Sequence, residues 1–179
     1  GDAWMLNSPF NGGTHLPDVT VITPVFMGDE PAFWLGSRGH HADIGGRTPG
    51  SSPPDSRAIS EEGVLIDLFH LVRVGELAEA ETRALLASGP YPCRAIDQNM
   101  ADLKAQIAAN ETGRRGLLTV CDSHGADTVR AYMTHVQRNA EAMVRGVIDR
   151  LQDGSFRYPM DTGQEIRVAV RVNRADHTA

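Results

Sequence analysis

The sequence predicts an α+β fold: a mixed or antiparallel sheet, with a β-hairpin near the N-terminus, covered by a pair of helices in the C-terminal half. Apolar, β-branched segments separated by turn residues fill the first third of the chain. Residues 98–122 and 126–151 instead repeat apolar side chains every three or four positions, which is typical of amphipathic helices. We expect one domain that is strand-rich over 1–75, helical over 76–152 and strand again over 153–179.

Composition agrees with one globular domain that has a real core. The 179 residues are 41% hydrophobic and 22% charged, with a net charge of -6. This acidic balance offers no basic surface for nucleic acid or an anionic membrane. No apolar run approaches the roughly 20 residues that cross a bilayer. Two cysteines, Cys93 and Cys121, are too few for a disulfide framework, so we expect a reduced, cytoplasmic setting.

The predicted hairpin begins with a buried strand over residues 19–26. The turn signal Gly-Asp-Glu-Pro at 28–31 follows, and residues 32–38 form the second strand. Antiparallel strands joined by a short loop place their outer ends side by side. The residues just before the first strand and just after the second should therefore be neighbours.

The next part of the chain alternates loop, strand and helix. Residues 47–57 are rich in Gly, Ser and Pro and exclude helix or central strand. This loop either lies at the surface or shapes a substrate pocket. Residues 64–72 predict another strand, and residues 77–87 a short helix.

Two long helices and two returning strands complete the prediction. In the first helix the apolar pattern is interrupted by Gly113 and Gly116. In the second helix four apolar residues should face the core: Val136, Ala140, Met143 and Val147. Residues 155–158 and 165–172 alternate as strands do.

Histidines and aspartates concentrate at the outer ends of the hairpin. Residues 12–18 are GGTHLPD, and residues 37–46 are SRGHHADIGG. Imidazole nitrogen and carboxylate oxygen suit a divalent transition metal such as zinc, manganese or iron, and the absence of thiolates argues against a zinc finger. The hairpin should bring His15 and Asp18 close to His40 and His41.

Each of these residues also has a structural interpretation. Asp18 can cap backbone amides in a turn. Because adjacent residues of an extended chain point oppositely, at most one of His40 and His41 should reach a metal, which leaves the other for substrate or for support of the ligands. Other polar or thiol residues are weaker candidates, better explained by packing, caps, solvated pairs or tails: Glu61, Glu62, His70, Cys121, His124, His135 and His177.

These segments resemble the hydantoinase B/oxoprolinase family. The matching stretches are residues 12–18, 19–26, 37–46, 48–51, 53–56, 61–63, 99–110 and 131–141. The last stretch looks most like the 5-oxoprolinase branch. In that family such a block is an interior part of a B half, or of a separate B-type chain, several hundred residues long. The resemblance therefore implies a piece of a longer protein.

The resemblance implies a hydrolase that acts on a cyclic amide. An A-type partner, either a separate chain or the other half of the same one, uses ATP to phosphorylate the amide carbonyl, and the B half opens 5-oxoproline towards glutamate. ATP would thus reach this chain only through its partner, in a homo- or hetero-oligomer. The alternatives are a component of an N-methylhydantoinase or of an acetone/acetophenone carboxylase, or a truncated scaffold piece without catalysis.

The family's metal ligands are a His-x-x-Asp pair and a histidine about 25 positions later. Carried over, they are His15, Asp18 and His40, which would hold Mn, Zn or Fe. His41 and Asp43 are the catalytic candidates, with Asp43 expected to orient a ligand histidine. Arg38 is the candidate for binding a substrate carboxylate or a phosphate. The chain departs from relatives at two points: Ser8, where some have an acid, and residues 123–125.

Overall fold

The structure is a computed structural model that describes residues 1–176 and residue 178. His177, considered above as a tail residue, lies outside the described residues. The chain divides into two compact units, residues 1–119 and residues 120–179. The α+β class is confirmed, since an antiparallel sheet, a strand pair and three α-helices are present. The elements are β1 Ala3–Leu6, β2 Asp18–Met27, β3 Glu30–His40, β4 Phe69–Arg73, β5 Glu76–Leu77, α1 Glu79–Leu86, α2 Ile96–His124, α3 Ala126–Ile148, β6 Gly154–Pro159 and β7 Glu165–Val170.

The first unit is built on a five-stranded antiparallel sheet in the order β3-β2-β1-β4-β5. The predicted hairpin is confirmed as β2 and β3, which pair from Asp18 opposite His40 to Met27 opposite Glu30. Gly28 supplies the positive φ of 68° that the connecting turn needs. β1 lies between the hairpin and β4, so the N-terminal residues form a central strand.

The core of this unit lies between the sheet and helices. Met5, Val21 and Leu71 from the strands cluster with Met100 and Leu103 from α2, and each is at most 1% exposed. The sequence correctly predicted the apolar face of α2. The helix predicted over residues 98–122 is confirmed, and α2 continues unbroken for 29 residues through both glycines at which its apolar pattern is interrupted. A glycine inside a helix lowers helix stability by only about 1 kcal/mol relative to alanine. Packing of the rest of the helix offsets this loss.

The strand predicted over residues 64–72 is only partly correct, because β4 starts at Phe69. Val64 and Ile66 are buried, as their apolar character demands, yet they do not join the ladder. The backbone N–H of Val64 donates to Ile44 O, and that of Ile66 donates to the Asn7 side chain. Hydrogen bonds to a loop and to Asn7 and Ser8 therefore satisfy the backbone of this segment in place of a regular strand ladder.

The second unit contains α3 and the β6–β7 hairpin. The helix is confirmed, but the prediction that one face joins the core is wrong. Val136 and Met143 are each 67% exposed, Val147 is 59% exposed, and Ala140 is also exposed. Val129 is the buried residue of α3, and both strands of the hairpin are exposed along their length. Amphipathic spacing predicts the helix correctly, but burial also needs a surface to pack against.

Helices long and apolar enough to cross a bilayer are missing from the described part of the chain.

Candidate metal centre

Three of the predicted site residues meet at the open end of the β2–β3 hairpin. Asp18 is the first residue of β2, and His40 is the last of β3 and pairs with it across the ladder. His15 precedes the strand by one turn, which is closed by a bond from the Asp18 N–H to His15 O at 3.0 Å. The ligand atoms of His15, Asp18 and His40 all lie within 4.8 Å of one another. We call these three residues the triad.

The Asp18 carboxylate connects the two imidazoles. Its Oδ1 lies 3.0 Å from His40 Nδ1, and its Oδ2 lies 2.9 Å from His15 Nδ1. The Thr14 hydroxyl also donates to Oδ2, at 2.8 Å. Burial raises the pKa of Asp18, but the hydrogen bonds from Thr14 and His40 and the nearby imidazoles outweigh it and hold the pKa below its usual value. The carboxylate is therefore ionised at neutral pH and fixed in orientation.

The chemistry of the triad fits a divalent first-row metal. Two imidazoles and a carboxylate offer nitrogen and oxygen donors, the set expected for Zn, Mn or Fe. The side chains of His15 and His40 are 48% and 64% exposed, so the site is open to solvent on one side. Three protein ligands with an open side are typical of catalytic rather than structural metal sites. Binding of an ion stays a prediction.

Arg38 lies beside the triad on the same strand as His40. Residues two apart on a strand share a face, so Arg38 and His40 lie on one side of β3. The guanidinium donates from Nε to Thr20 Oγ1 at 2.9 Å and from Nη2 to Gly12 O at 3.1 Å. These bonds fix an exposed cation next to the triad. The predicted role in anion binding fits this placement and stays a prediction.

His41 points to the other side of the strand, as predicted, and is 1% exposed. Its Nδ1 lies 3.0 Å from Asn99 Nδ2, and its Nε2 lies 3.2 Å from Gln106 Oε1. Since the amide NH2 of Asn99 donates, Nδ1 accepts and Nε2 carries the proton. Both ring nitrogens are thus occupied inside the protein. A general acid or base needs a nitrogen within reach of substrate, so this geometry does not support the catalytic role predicted for His41.

Asp43 also differs from the expectation that it orients a ligand histidine. Its carboxylate accepts from Arg94 Nη1 at 2.7 Å and from the backbone N–H groups of Arg94 and Gly45, at 2.9 and 3.0 Å. Burial raises the pKa of Asp43, but these bonds and the Arg94 charge give a net lowering. The carboxylate that contacts the two histidines of the triad is that of Asp18, not that of Asp43. Arg94 lies 51 positions away, and nothing in the sequence pattern paired it with Asp43.

The loop after His41 packs closely against other backbone segments of the first unit. A Cβ on Gly45 would lie 2.3 Å from Tyr91 O, and one on Gly46 would lie 2.6 Å from Glu62 O. Both glycines also have φ near 90°. Only glycine fits these two positions, so the Gly-Gly pair of the motif serves the backbone rather than the chemistry.

The remaining candidates take structural roles. His70 stacks on Trp4 with ring centroids 4.7 Å apart, and Cys121 is buried as predicted. The Glu62 carboxylate accepts from the Ser56 hydroxyl, and the Glu61 carboxylate accepts from the Arg57 backbone N–H. This acidic pair therefore stabilises the loop and is not the solvated pair that was expected.

The Cys93 thiol is also unsuited to chemistry. Burial and the Asp43 charge raise its pKa to about 12, which leaves it protonated and unreactive.

Sequence reasoning missed the polar side of α2. Asn99, Gln106 and Asn110 are each at most 8% exposed and bond to strands or loops of the first unit. Their spacing of seven and four residues places them on one helix face, just as that spacing would for apolar residues of an amphipathic helix. Side-chain amides repeated at the spacing of buried residues in an amphipathic helix are the signal that could have identified these three residues.

Comparison with known proteins agrees with this description. The family model Hydantoinase B/oxoprolinase matches residues 1–179. The chain is 40% identical to a 5-oxoprolinase of Dictyostelium discoideum, across 100% of this chain and 14% of that protein. It is 46% identical to 5-oxoprolinase 1 of Arabidopsis thaliana, across 83% of this chain and 12% of that protein. It therefore spans only about one seventh of the length of these relatives.

A solved structure supports the same conclusion. The crystal structure of ATP-dependent caprolactamase from Pseudomonas jessenii matches with a TM-score of 0.75 and 29% identity, covering 96% of this chain and 31% of that one. The resemblance inferred from the histidine motifs is confirmed: the chain belongs to the hydantoinase B/oxoprolinase family.

Proposed function

We propose that this chain forms the metal-binding segment of the B half of an ATP-dependent hydrolase that opens 5-oxoproline to glutamate. The observation that carries the proposal is the triad, in which one ionised carboxylate lies within 3.0 Å of two imidazole nitrogens at an open strand end. The names of similar proteins support the substrate class. They include 5-oxoprolinases, the beta chain of a caprolactamase and the B-type chain of a putative hydantoinase, all named for cyclic amides.

The choice of 5-oxoproline within this class rests on degree of similarity. Identity is 40% and 46% to two 5-oxoprolinases but 33% to the caprolactamase and hydantoinase chains. The substrate of a 5-oxoprolinase also carries a carboxylate. Arg38 beside the triad supplies a fixed guanidinium that suits such a group, or a phosphate, through paired N–H donors.

The division of labour follows from the chemistry of amides. An unactivated lactam resists water, so a partner A-type half would use ATP to convert the carbonyl oxygen into a leaving group. A divalent metal held by His15, Asp18 and His40 would supply Lewis acidity to a water or to the activated substrate. Asp18 maintains the positions of both imidazoles, and Arg38 binds the anionic end of the substrate. Addition of one water to the phosphorylated carbon and cleavage of the C–N bond would give an acyl phosphate and an amine, which takes up the proton. A second water would then displace phosphate and leave the product carboxylate.

Metal titration of the purified chain tests the proposal. We expect one equivalent of Mn²⁺ or Zn²⁺ to bind the native sequence, and binding to be lost in the His15→Ala, His40→Ala double variant. A matched control is His124→Ala, His135→Ala, which removes two exposed histidines from helices and should bind normally. Absence of binding to the native sequence, or equal loss in both double variants, would contradict the proposal.

The substrate is tested in the intact B-type protein that carries this sequence, together with its A-type partner. We expect ATP-dependent opening of 5-oxoproline, and an Arg38→Gln variant with a KM for 5-oxoproline raised at least about tenfold. Preference for a hydantoin, caprolactam or acetone over 5-oxoproline would assign the chain to another branch of the family.

A further inference from the structure

We propose that Gln106, held in place by His41, is a positioning residue that sets the separation of Asp18 and His40 and with it the metal affinity of the triad. This inference rests on the proposed metal role of the triad. Neither Gln106 nor His41 contacts the triad side chains in the network described below. Their effect would be transmitted through the backbone of the hairpin.

One side-chain amide joins both strands of the hairpin next to the triad. Gln106 is 8% exposed, and its Nε2 donates to Val19 O at 2.9 Å and to Ser37 O at 3.0 Å. Val19 follows Asp18 and pairs with Gly39, which precedes His40. The amide thus connects two rungs of the ladder: Val19–Gly39, immediately beside the rung of Asp18 and His40, and Val21–Ser37, two rungs farther along.

The strand has room for this amide because residue 39 is glycine. A Cβ on Gly39 would lie 3.1 Å from Gln106 Cδ and 3.3 Å from its Oε1, closer than an ordinary contact. The helix is also tied to β3 by the Ser37 hydroxyl, which donates to the backbone carbonyl of Gln106 at 3.2 Å. Gln106 therefore fits closely against the backbone that positions His40.

His41 fixes the orientation of the amide. Because both N–H groups of Gln106 point to strand carbonyls, its Oε1 must face a donor, and His41 Nε2 lies 3.2 Å away. His41 Nδ1 accepts in turn from Asn99 Nδ2, which also donates to Asp43 O at 2.7 Å. Each N–H donor of this series has an acceptor, and His41 is the group that supplies a donor to Gln106 Oε1.

Such support matters because metal sites tolerate little displacement. Productive donor geometry must be held within about 0.5 Å, and loss of a supporting partner typically lowers metal affinity by about 10- to 100-fold. Asp18 and His40 are on different strands, so their separation depends on what holds those strand ends together. Gln106 and His41 provide that connection from the buried side.

The test compares two amides of the same helix. Gln106→Leu removes the contact beside the triad. Asn110→Leu is the matched control, since Asn110 is 4% exposed and its amide donates to β2 alone, to Val21 O and to Thr23 Oγ1, each at 3.0 Å. In calorimetric titration of the full chain with Mn²⁺, we expect Gln106→Leu to weaken binding at least about tenfold and Asn110→Leu to change it less than about twofold. The electron paramagnetic resonance spectrum of bound Mn²⁺ should change only in Gln106→Leu.

Conservative variants guard against a folding defect. His41→Gln keeps a donor for Gln106 Oε1, so it should bind Mn²⁺ more tightly than His41→Phe, which keeps the ring volume but no hydrogen bond. If Gln106→Leu does not fold, Gly39→Ala replaces it, because its methyl group would lie 3.1 Å from Gln106 Cδ and shift the amide slightly without removing any polar atom. It too should weaken Mn²⁺ binding, and native affinity in Gly39→Ala would then overturn the inference. Equal weakening by Asn110→Leu, or native affinity in folded Gln106→Leu, would overturn the inference.

A metal-free measurement separates this inference from the proposed function. If the native chain binds no metal, the proposed function fails, yet hydrogen exchange still reports on the hairpin. We expect the backbone amides of Asp18 and His40 to exchange faster in Gln106→Leu than in Asn110→Leu. Equal exchange rates in the two variants would overturn the positioning role independently of any metal.

Discussion

Both units, residues 1–119 and residues 120–179, have periodic apolar sequence patterns, but they differ in how many of the apolar side chains are buried. Among the described residues, the first unit contains all the buried hydrophobic side chains except Cys121 and Val129. In the second unit, large apolar side chains of α3 and of both strands of the hairpin remain exposed, among them Tyr132, Phe156 and Ile166. Periodicity predicts secondary structure in both units, but it reports burial only where another element packs against the apolar face.

The candidate functional residues also lie in only one of the two units. The triad, Arg38 and the buried amides all belong to the first unit, where α2 packs against the sheet. Rigid elements hold donor atoms more accurately than an uncovered helix or an isolated strand pair. The comparison therefore predicts that mutations in the two units differ sharply in their effect on stability.

The largest expected difference is between two methionines on helices. Met100 on α2 is 1% exposed, and Met143 on α3 is 67% exposed. Met100→Ala should lower the free energy of unfolding by about 2–5 kcal/mol, because it leaves a cavity in the core. Met143→Ala should change it by less than about 0.5 kcal/mol. Urea denaturation of the full chain measures both free energies of unfolding. Similar losses in the two variants would contradict the difference in burial between the two units.

A partly buried ion pair should give the next largest effect. Asp43 has 14% of its side chain exposed and pairs with Arg94, whereas Glu141 of the second unit is 59% exposed and pairs with Arg145. Asp43→Asn should lower stability at pH 7 by about 1–3 kcal/mol. Glu141→Gln should cost less than about 0.5 kcal/mol.

The pH dependence of the Asp43 effect has a definite sign. The pKa of Asp43 is lower in the folded state than in the unfolded chain. Its contribution is therefore fully present above about pH 4 and is lost as the pH falls through the folded pKa. Unfolding curves of native and Asp43→Asn chains should converge below about pH 4. A difference that stays constant down to acid pH would contradict the assigned ion pair.

The smallest expected effect is at Val136, where the sequence alone predicts a large loss of stability. An aspartate at Val136 should destabilise strongly if that residue were in the core, by several kcal/mol. Because Val136 is 67% exposed, we expect Val136→Asp to change the free energy of unfolding by less than about 0.5 kcal/mol. Val129→Asp on the same helix is the contrast, since Val129 is 8% exposed and should be costly. A large loss in Val136→Asp would show that this face of α3 is covered in solution.

Much of the candidate site could be predicted because it is local. The hairpin follows from an apolar, β-branched segment over residues 19–26, a Gly-Asp turn and a second apolar segment over residues 32–38. Its outer ends then bring Asp18 and His40 together by register alone. The side of β3 on which His41 lies follows from strand alternation. Neither inference needs knowledge of distant contacts.

The parts that could not be predicted depend on contacts between distant residues. Asp43 meets Arg94 across 51 positions, and His41 meets Gln106 across 65. The early start expected for β4 failed for the same reason, since Asn7 satisfies Ile66 across 59 positions. Single-sequence patterns report spacing along one element and carry no information on which element lies opposite.

Crystals of this chain grown with Mn²⁺ and measured at the manganese absorption edge would show directly whether the triad holds a metal ion. We expect one anomalous peak within about 2.0–2.3 Å of a nitrogen of His15, an oxygen of Asp18 and a nitrogen of His40. The same crystals of an Asp18→Asn variant should show that peak weakened or absent. An ordered ion bound elsewhere, with none at the triad at saturating Mn²⁺, would contradict the account.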